Sequence, residues 1–215
     1  MCINAETSLF ALSIGTFINI LILRQTKNPD YLILVGWHQF GLLMQLFDFL
    51  SWTDLKCGMQ NKIATIGAMI SNMLQPVVAI LLLLTYTQVK NKNSELIVSL
   101  LLCMYVGIVF YKFYYKQDAA ITCLKPSAKC KHLRYDWWEV ISKSSLTVFL
   151  IYLVPIVISF YLLLQSKTFA VIHLLYLIIT CIISKIFYSC GVPSMFCLFA
   201  AGGPALNYLL MKYNV

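Results

Sequence analysis

Charged residues are absent from long stretches of this chain, and this feature constrains the fold more than any other. An α-helix needs about 20 mostly apolar residues to cross the roughly 30 Å hydrocarbon core of a bilayer. Measured against that length, the 215-residue sequence contains seven apolar segments: 7–23, 31–52, 63–86, 96–111, 145–164, 169–188 and 192–211. The sequence therefore predicts an all-α fold, a polytopic transmembrane helical bundle that forms a single domain over residues 1–215.

The composition favours the same setting. Hydrophobic residues make up 60% of the chain and charged residues 11%, whereas soluble domains carry about 25% charged residues. A soluble fold this apolar would have no polar shell, because a domain of this size still exposes much of its surface. The seventh segment contains Gly202, Gly203 and Pro204, so six spans with a re-entrant C-terminal segment is the alternative count.

The longest polar stretch is a basic, cysteine-containing loop over residues 112–144. It holds seven of the sixteen Lys and Arg residues, and such a loop attracts anionic lipid headgroups by about 1 kcal/mol per residue. Nucleic acid is not an expected partner. The count of basic residues over all loops places the N-terminus in the cytoplasm. Arg24 and Lys27, which directly follow the first segment, favour an N-terminus outside, and we adopt that orientation as the prediction.

The cysteines give the orientation a second argument. Five of the eight fall on the side of the predicted bundle that carries the N-terminus: Cys2, Cys57, Cys123, Cys130 and Cys190. This clustering favours an oxidising compartment and a disulfide from Cys57 to either Cys123 or Cys130; chance is the alternative explanation. No metal site is expected, because the spacing of these cysteines and His132 matches no standard zinc pattern.

Several polar side chains lie inside the apolar segments. His38, Gln45 and Asp48 share one face of the second segment, since their spacings of seven and three residues fit a helix. The third segment adds two amides before Pro76, the sixth a stripe that ends at Thr180, and the seventh Asn207. The residues that we predict to form a path for a solute or proton are His38, Gln45, Asp48, Asn72, Gln75, His173 and Tyr176.

Two interpretations of these polar residues stay open. Ionisable groups in hydrocarbon are costly and often mark a pathway, so Asp48 and His38 would be the titratable members of a polar path. Alternatively, Asn, Gln, His and Thr side chains join membrane helices by hydrogen bonds, each worth about 0.6 to 2 kcal/mol. The chain has no metalloprotease, serine-hydrolase, P-loop or dinucleotide-binding motif. We therefore expect a protein that is not an enzyme and that needs no cofactor.

Residues 37–76 carry a resemblance to a known family. Their pattern places polar residues before Trp on one helix, then Cys and Asn before a Gln-Pro helix: Gln45, Asp48, Trp52, Cys57, Asn61, Gln75 and Pro76. This pattern resembles uncharacterised polytopic membrane proteins of large eukaryotic DNA viruses. It covers about a fifth of the chain, and it implies a host-cell or virion membrane as the setting without implying an activity.

The sequence therefore favours a multi-pass integral membrane protein that acts as a transporter or channel for a small solute or proton. The first alternative is a viral structural or host-membrane interaction protein without transport activity. The second is a receptor-like or lipid-binding seven-helix protein, similar to G-protein-coupled receptors in Trp52 and Cys57 before the third segment. The third segment ends without the receptors' Asp-Arg-Tyr, and the seventh lacks Asn-Pro-x-x-Tyr. The lipid bilayer is the expected partner, and an oligomer is compatible with all three functions.

Overall fold

The computed structural model of the chain describes residues 4–87, 91–115, 123–126, 133, 145–187 and 192–213. These residues form seven α-helices, and the β-structure among them is one isolated bridge between Pro126 and Leu133. The helices are α1 (Ala5–Gln25), α2 (Pro29–Trp52), α3 (Met59–Tyr86), α4 (Lys92–Tyr115), α5 (Ser145–Leu163), α6 (Lys167–Phe187) and α7 (Val192–Lys212). The prediction of an all-helical fold is confirmed for this part of the chain.

In the described part of the chain, four helices are long and apolar enough to cross a bilayer: α1, α2, α3 and the Lys92–Lys112 portion of α4. Shorter apolar stretches occupy Leu150–Leu163 in α5 and Lys167–Thr180 in α6. The chain therefore has the helices of a membrane protein, while seven spans stay a prediction. Each observed helix begins and ends within four residues of a predicted segment.

The first two helices begin where asparagine side chains cap them. The Asn4 Oδ1 accepts a hydrogen bond from the Thr7 N–H at 2.8 Å, and the Asn28 Oδ1 accepts one from the Asp30 N–H at 2.9 Å. Pro29 occupies the first helical position of α2, where a missing N–H has no cost. These caps satisfy backbone N–H groups that the helix itself leaves free, so both helices start before their apolar segments do.

Helix α2 lies at the centre of the bundle, in contact with α1, α3 and α7. Its aromatic side chains reach two further helices, because Trp37 packs edge-on against Phe160 of α5 and Tyr31 packs against Phe169 of α6. Gly15 of α1 permits close packing, since an added Cβ would lie 2.7 Å from the Leu42 Cδ1. Polar residues on α2 are therefore held within reach of most of the bundle.

Two hydrogen bonds join α1 to α2 through one amide. The Gln39 Nε2 donates to the Thr16 Oγ1 at 3.1 Å, and the Gln39 Oε1 accepts from the Asn19 Nδ2 at 3.0 Å. Hydrogen bonds of this kind stabilise helix pairs where water is scarce. The polar residues of α1 therefore have a packing role.

Helix α3 continues through its internal proline. Pro76 has no N–H, so the carbonyl of Asn72 loses its partner within the helix. One residue later, the Met73 carbonyl accepts a hydrogen bond from the Tyr105 hydroxyl of α4 at 2.8 Å. Neighbouring helices commonly satisfy the backbone near a membrane proline in this way.

The start of α2 is fixed to the turn between α5 and α6. The Asp30 carboxylate accepts hydrogen bonds from the backbone N–H groups of Gln165 at 3.1 Å and Ser166 at 2.9 Å. Ser166 in turn caps α6, because its Oγ accepts from the Phe169 N–H. Helices α2 and α6 thus begin on one side of the bundle, which we call the Asp30 side. The opposite side, where α2 ends and α3 begins, is the Cys57 side.

Candidate functional site

A hydrogen-bonded triad joins three helices inside the bundle. The amide of Asn207 on α7 lies between His38 on α2 and His173 on α6. Its Nδ2 is 3.0 Å from the His38 Nδ1, and its Oδ1 is 2.5 Å from the His173 Nε2. The three side chains are at most 4% exposed, and the centroids of the two imidazoles are 6.0 Å apart. The structure therefore brings two of the predicted path residues together through a third residue, and we call this group the His–Asn–His triad.

The backbone of α6 holds one of these rings in place. The His173 Nδ1 lies 3.0 Å from the carbonyl oxygen of Phe169, one turn earlier in the same helix. The Phe169 ring packs against the His173 imidazole, with centroids 4.5 Å apart. Both ring nitrogens of His173 therefore have fixed partners, and each partner is an oxygen.

Two glycines of α7 make room for the triad and for Tyr176. A Cβ on Gly203 would collide with the His38 imidazole, and a Cβ on Gly202 would lie 2.5 Å from the Tyr176 hydroxyl oxygen. Helix α7 continues through Gly202, Gly203 and Pro204, so this segment does not divide it. The glycines bring the backbone of α7 close to the side chains of α2 and α6.

The triad lies nearer to the Asp30 side than to the Cys57 side. His38 is nine residues after the start of α2, and His173 is six residues after the start of α6. At about 1.5 Å per residue, these positions are roughly 13 and 9 Å along their helices. The triad is therefore deep enough to lie within the hydrocarbon layer of a membrane.

Buried polar residues continue along α2 in both directions from the triad. They are Asp30, His38, Gln45, Asp48 and Ser51, each at most 4% exposed. At about 100° per residue they cover roughly 140° of the helix circumference. We call this set the polar face of α2. Ser51 is 21 residues after Asp30, which corresponds to roughly 31 Å along the helix, close to the thickness of the hydrocarbon core.

Two predicted path residues on this face lie towards the Cys57 side. Asp48 is fully buried one turn before the end of α2. Gln45 is buried one turn earlier, and its Nε2 has no hydrogen-bond partner among the residues that the structure describes. A buried donor without a partner costs about 1–3 kcal/mol. Gln45 therefore offers an open donor on the polar face.

The two predicted path residues on α3, Asn72 and Gln75, lie outside the His–Asn–His triad. The Gln75 Oε1 accepts a hydrogen bond from the Tyr152 hydroxyl of α5, which joins α3 to α5. Asn72, one turn earlier in α3, is 4% exposed. These hydrogen bonds thus join His38 with His173 through Asn207, and Gln75 with Tyr152.

On the Cys57 side, a short loop is fixed to the turn between α2 and α3. The structure joins Cys57 and Cys123 in a disulfide, with Cα atoms 5.6 Å apart, within the usual range. The other predicted partner, Cys130, lies outside the described residues, as does His132. Residues 123–126 are thereby held beside the start of α3.

Asn61 adds several hydrogen bonds to this attachment. Its Nδ2 donates to the carbonyls of Ser51 at 3.1 Å, Asp54 at 3.0 Å and Leu124 at 2.9 Å. Its Oδ1 accepts from the Leu124 N–H at 3.0 Å. A buried side-chain amide thus pairs with the backbone of the loop much as a neighbouring strand would. We call Asn61, Leu124 and the Cys57–Cys123 bridge the loop clamp.

Sequence reasoning gave three of these residues no role in the predicted path. Asn207 is a polar residue beyond the Gly-Gly-Pro segment in the sequence, but only the packing of α7 makes it the bridge between two histidines. Tyr152 gives no sequence signal, because tyrosine is common in membrane helices. Asn61 belongs to the pattern in residues 37–76, which carries no information on its partner Leu124.

The described residues include no group of three or more His, Cys, Asp or Glu side chains that could hold a metal ion. The triad has two imidazoles and an amide, which are groups that bind protons and polar solutes. Comparison of the chain with protein-family models, with characterised proteins and with solved structures finds no match. The function is therefore inferred from the geometry of these residues.

Proposed function

We propose that this chain is a multi-pass integral membrane protein that moves protons, or a small solute together with protons, along the polar face of α2. The observation that carries the proposal is the length of this face. Buried polar side chains from Asp30 to Ser51 extend over roughly 31 Å of helix. Apolar residues such as Leu34 and Met44 are buried between them. Five buried polar side chains on one helix are nevertheless more than packing requires, because polar groups in hydrocarbon are costly.

Titratable groups lie at two depths along this face. Asp48 is near the Cys57 side, and His38 is on the half nearer the Asp30 side, where it joins His173 through Asn207. Carboxylates and imidazoles are side chains that can take up and release protons. Gln45, with its open donor, lies between Asp48 and His38, where a water or solute can bind.

Flux into proteoliposomes tests the proposal. The purified chain is reconstituted with a pH-sensitive dye inside the vesicles, and proton entry is followed after a pH step. Asp48→Asn removes the buried carboxylate and is expected to abolish the flux. The matched control is Glu95→Gln, which removes an exposed carboxylate at the start of α4 and should leave the flux unchanged. Equal flux from Asp48→Asn and wild type, at equal reconstitution, would overturn the proposal.

The loop clamp favours a second function. A loop held by a disulfide and by the Asn61 amide presents a fixed surface, which suits a structural or host-membrane interaction protein. The viral setting of that function rests on the resemblance of residues 37–76. In that case Asp48→Asn and Gln45→Leu should leave the protein's role intact, while loss of the loop clamp should abolish partner binding.

An apolar groove favours a third function, binding of lipid. The groove lies between α3 and α4, has a volume of about 290 Å³, and is lined by Met69, Ile70, Met73, Leu74, Val77, Tyr105, Val106, Val109 and Phe110. An acyl chain fits such a lining. Native mass spectrometry with defined lipids would separate this function from transport, since a specific lipid should stay bound and Val106→Trp should displace it.

The disulfide also supports the proposed orientation. Disulfides persist in oxidising compartments, so we place the Cys57 side, and with it the N-terminus, outside the cytoplasm.

A further inference from the structure

Both ring nitrogens of His173 face oxygen atoms that can only accept hydrogen bonds. The Nδ1 lies 3.0 Å from the Phe169 carbonyl oxygen, and the Nε2 lies 2.5 Å from the Asn207 Oδ1. A neutral imidazole has one N–H and can donate to only one of them. With the Asn207 Oδ1 on this side, His173 can donate to both oxygens only when it carries a hydrogen on each nitrogen, as an imidazolium.

The same amide assigns the opposite state to His38. The Asn207 Nδ2 can only donate, so the His38 Nδ1 at 3.0 Å must accept. An accepting Nδ1 has no hydrogen, and His38 is then neutral with its hydrogen on Nε2. The Asn207 amide thus determines which histidine holds the additional proton.

We propose that the His–Asn–His triad is a binding site for a single proton, which the amide of Asn207 assigns to His173 in one orientation and to His38 in the other. Rotation of the amide by about 180° exchanges its oxygen and nitrogen. The Oδ1 then accepts from the His38 Nδ1–H, and the Nδ2 donates to the His173 Nε2. One proton leaves the His173 Nε2, and one proton binds the His38 Nδ1. His173 is then neutral and keeps its hydrogen bond to Phe169, while His38 is the imidazolium.

The triad cannot hold an additional proton on both imidazoles at once. If both imidazoles were charged, each would present an N–H to the same amide, and the Nδ2 would face one of these donors. That pair would lose its hydrogen bond and would have two donors in contact inside the bundle. Two cationic rings with centroids 6.0 Å apart would also repel. Binding of the first proton therefore excludes the second.

The neighbouring titratable groups have other contacts, so we take the Asn207 amide as the group that sets the proton position. On α2, Tyr31 packs against Phe169, and the Asp30 carboxylate is held by the N–H groups of Gln165 and Ser166 before the start of α6. On α6 itself, the Tyr176 hydroxyl faces Gly202 of α7. In the described part of α7 the polar group that touches either imidazole is Asn207.

The inference deepens the proposed function, because a proton that moves between rings on α2 and α6 is a step of a proton path. Proton binding by the triad can be measured without measuring flux. The single-proton inference and the transport proposal can therefore fail independently. Loss of flux with single-proton binding intact would leave the triad as a proton store. Two-proton binding with flux intact would remove the triad mechanism and leave the transport proposal.

Nitrogen NMR of the full chain in lipid nanodiscs tests whether the triad binds a single proton. The chain has three histidines, so a His132→Gln background with ¹⁵N-labelled histidine reports only His38 and His173, and His38→Gln assigns the signals. As the pH is lowered through about 8 to 4.5, the imidazolium signal of the unaltered triad should saturate at one per chain. Saturation at two per chain, with the protein still folded, would overturn the proposal without any change to the triad.

Asn207→Asp provides the opposite expectation. A carboxylate has acceptors on both sides and a negative charge. Both imidazoles can therefore donate to it while charged, with their mutual repulsion offset, and the imidazolium signal should saturate at two per chain. The opposite charge should also raise the proton affinity about tenfold or more. Saturation at one per chain in Asn207→Asp would show that the amide does not set the limit. If this variant does not fold, the titration of the unaltered triad decides alone.

Discussion

Asn61 and Leu124, 63 residues apart in the chain, exchange two hydrogen bonds in which a side-chain amide takes the place of a peptide group. The Asn61 Nδ2 donates to the Leu124 carbonyl at 2.9 Å, and its Oδ1 accepts from the Leu124 N–H at 3.0 Å. Leu124 also contributes to a buried cluster with Met44 and Ala68. The pairing therefore satisfies a backbone segment that packs against the ends of α2 and α3.

Replacement of Asn61 should destabilise the fold. Asn61→Ala removes the donor to three carbonyls and the acceptor for the Leu124 N–H, and all of these lie at a buried position. We expect a loss of about 2–4 kcal/mol in the free energy of unfolding, measured by denaturant unfolding in detergent micelles. Asn93→Ala, at an exposed position of α4, is the control and should change the stability by less than about 0.5 kcal/mol. Equal stabilities of the two variants would contradict the role of Asn61.

Gly203 should tolerate no side chain, whereas Gly107 should tolerate one. A Cβ at Gly203 would collide with the His38 imidazole, while a Cβ at Gly107 of α4 has no atom within 4 Å. Gly203→Ala should cost about 1–3 kcal/mol, because the packed helices must separate. Gly107→Ala should be neutral or stabilise by about 0.5–1 kcal/mol, since alanine favours the helix. Thermal unfolding of the two variants in the same detergent measures the difference, and a similar effect at both positions would rule out the close approach of α7 to His38.

The Tyr105 hydroxyl should stabilise α3 near its proline. Tyr105→Phe removes the hydrogen bond to the Met73 carbonyl and leaves that buried acceptor without its partner on α4. We expect a loss of about 1–2 kcal/mol in the free energy of unfolding. Tyr86→Phe, where the side chain is 51% exposed, should be neutral. Hydrogen exchange should also become faster in α3 around Pro76 in Tyr105→Phe alone, and unchanged exchange would contradict the proposed contact.

The Cys57–Cys123 bridge should form without Cys130. In a Cys130→Ser variant, digestion without reducing agent should still give a linked peptide pair that contains Cys57 and Cys123. Cys123→Ser should lose the pair and about 4 kcal/mol of stability, because the bridge closes a loop of 66 residues. A bridge from Cys57 to Cys130 in the unaltered protein would show the pairing to be wrong.

The helices follow from the sequence because their signals are local. Apolar segments of about 20 residues specify membrane-length helices. The caps of Asn4 and Asn28 explain why α1 and α2 begin two residues before their segments. His38, Gln45 and Asp48 could be placed on one side of α2 from their spacing alone, because helical periodicity depends only on neighbouring residues. The number of spans does not follow in the same way, since four helices among the described residues meet the length and hydropathy of a membrane span.

The sequence by itself determined that this chain forms apolar helices, and that the second of them carries buried polar groups. Only the tertiary structure decided which of those groups meet. His38 and Asn207 are 169 residues apart, and His173 and Asn207 are 34 residues apart, so no local spacing could pair them. Gln75 is equally polar and equally deep, yet its hydrogen bond is with Tyr152. The physical reason is that a partner depends on the rotation and approach of whole helices, which the glycines of α7 and the Asp30 attachment to the α5–α6 turn determine through contacts between distant parts of the chain.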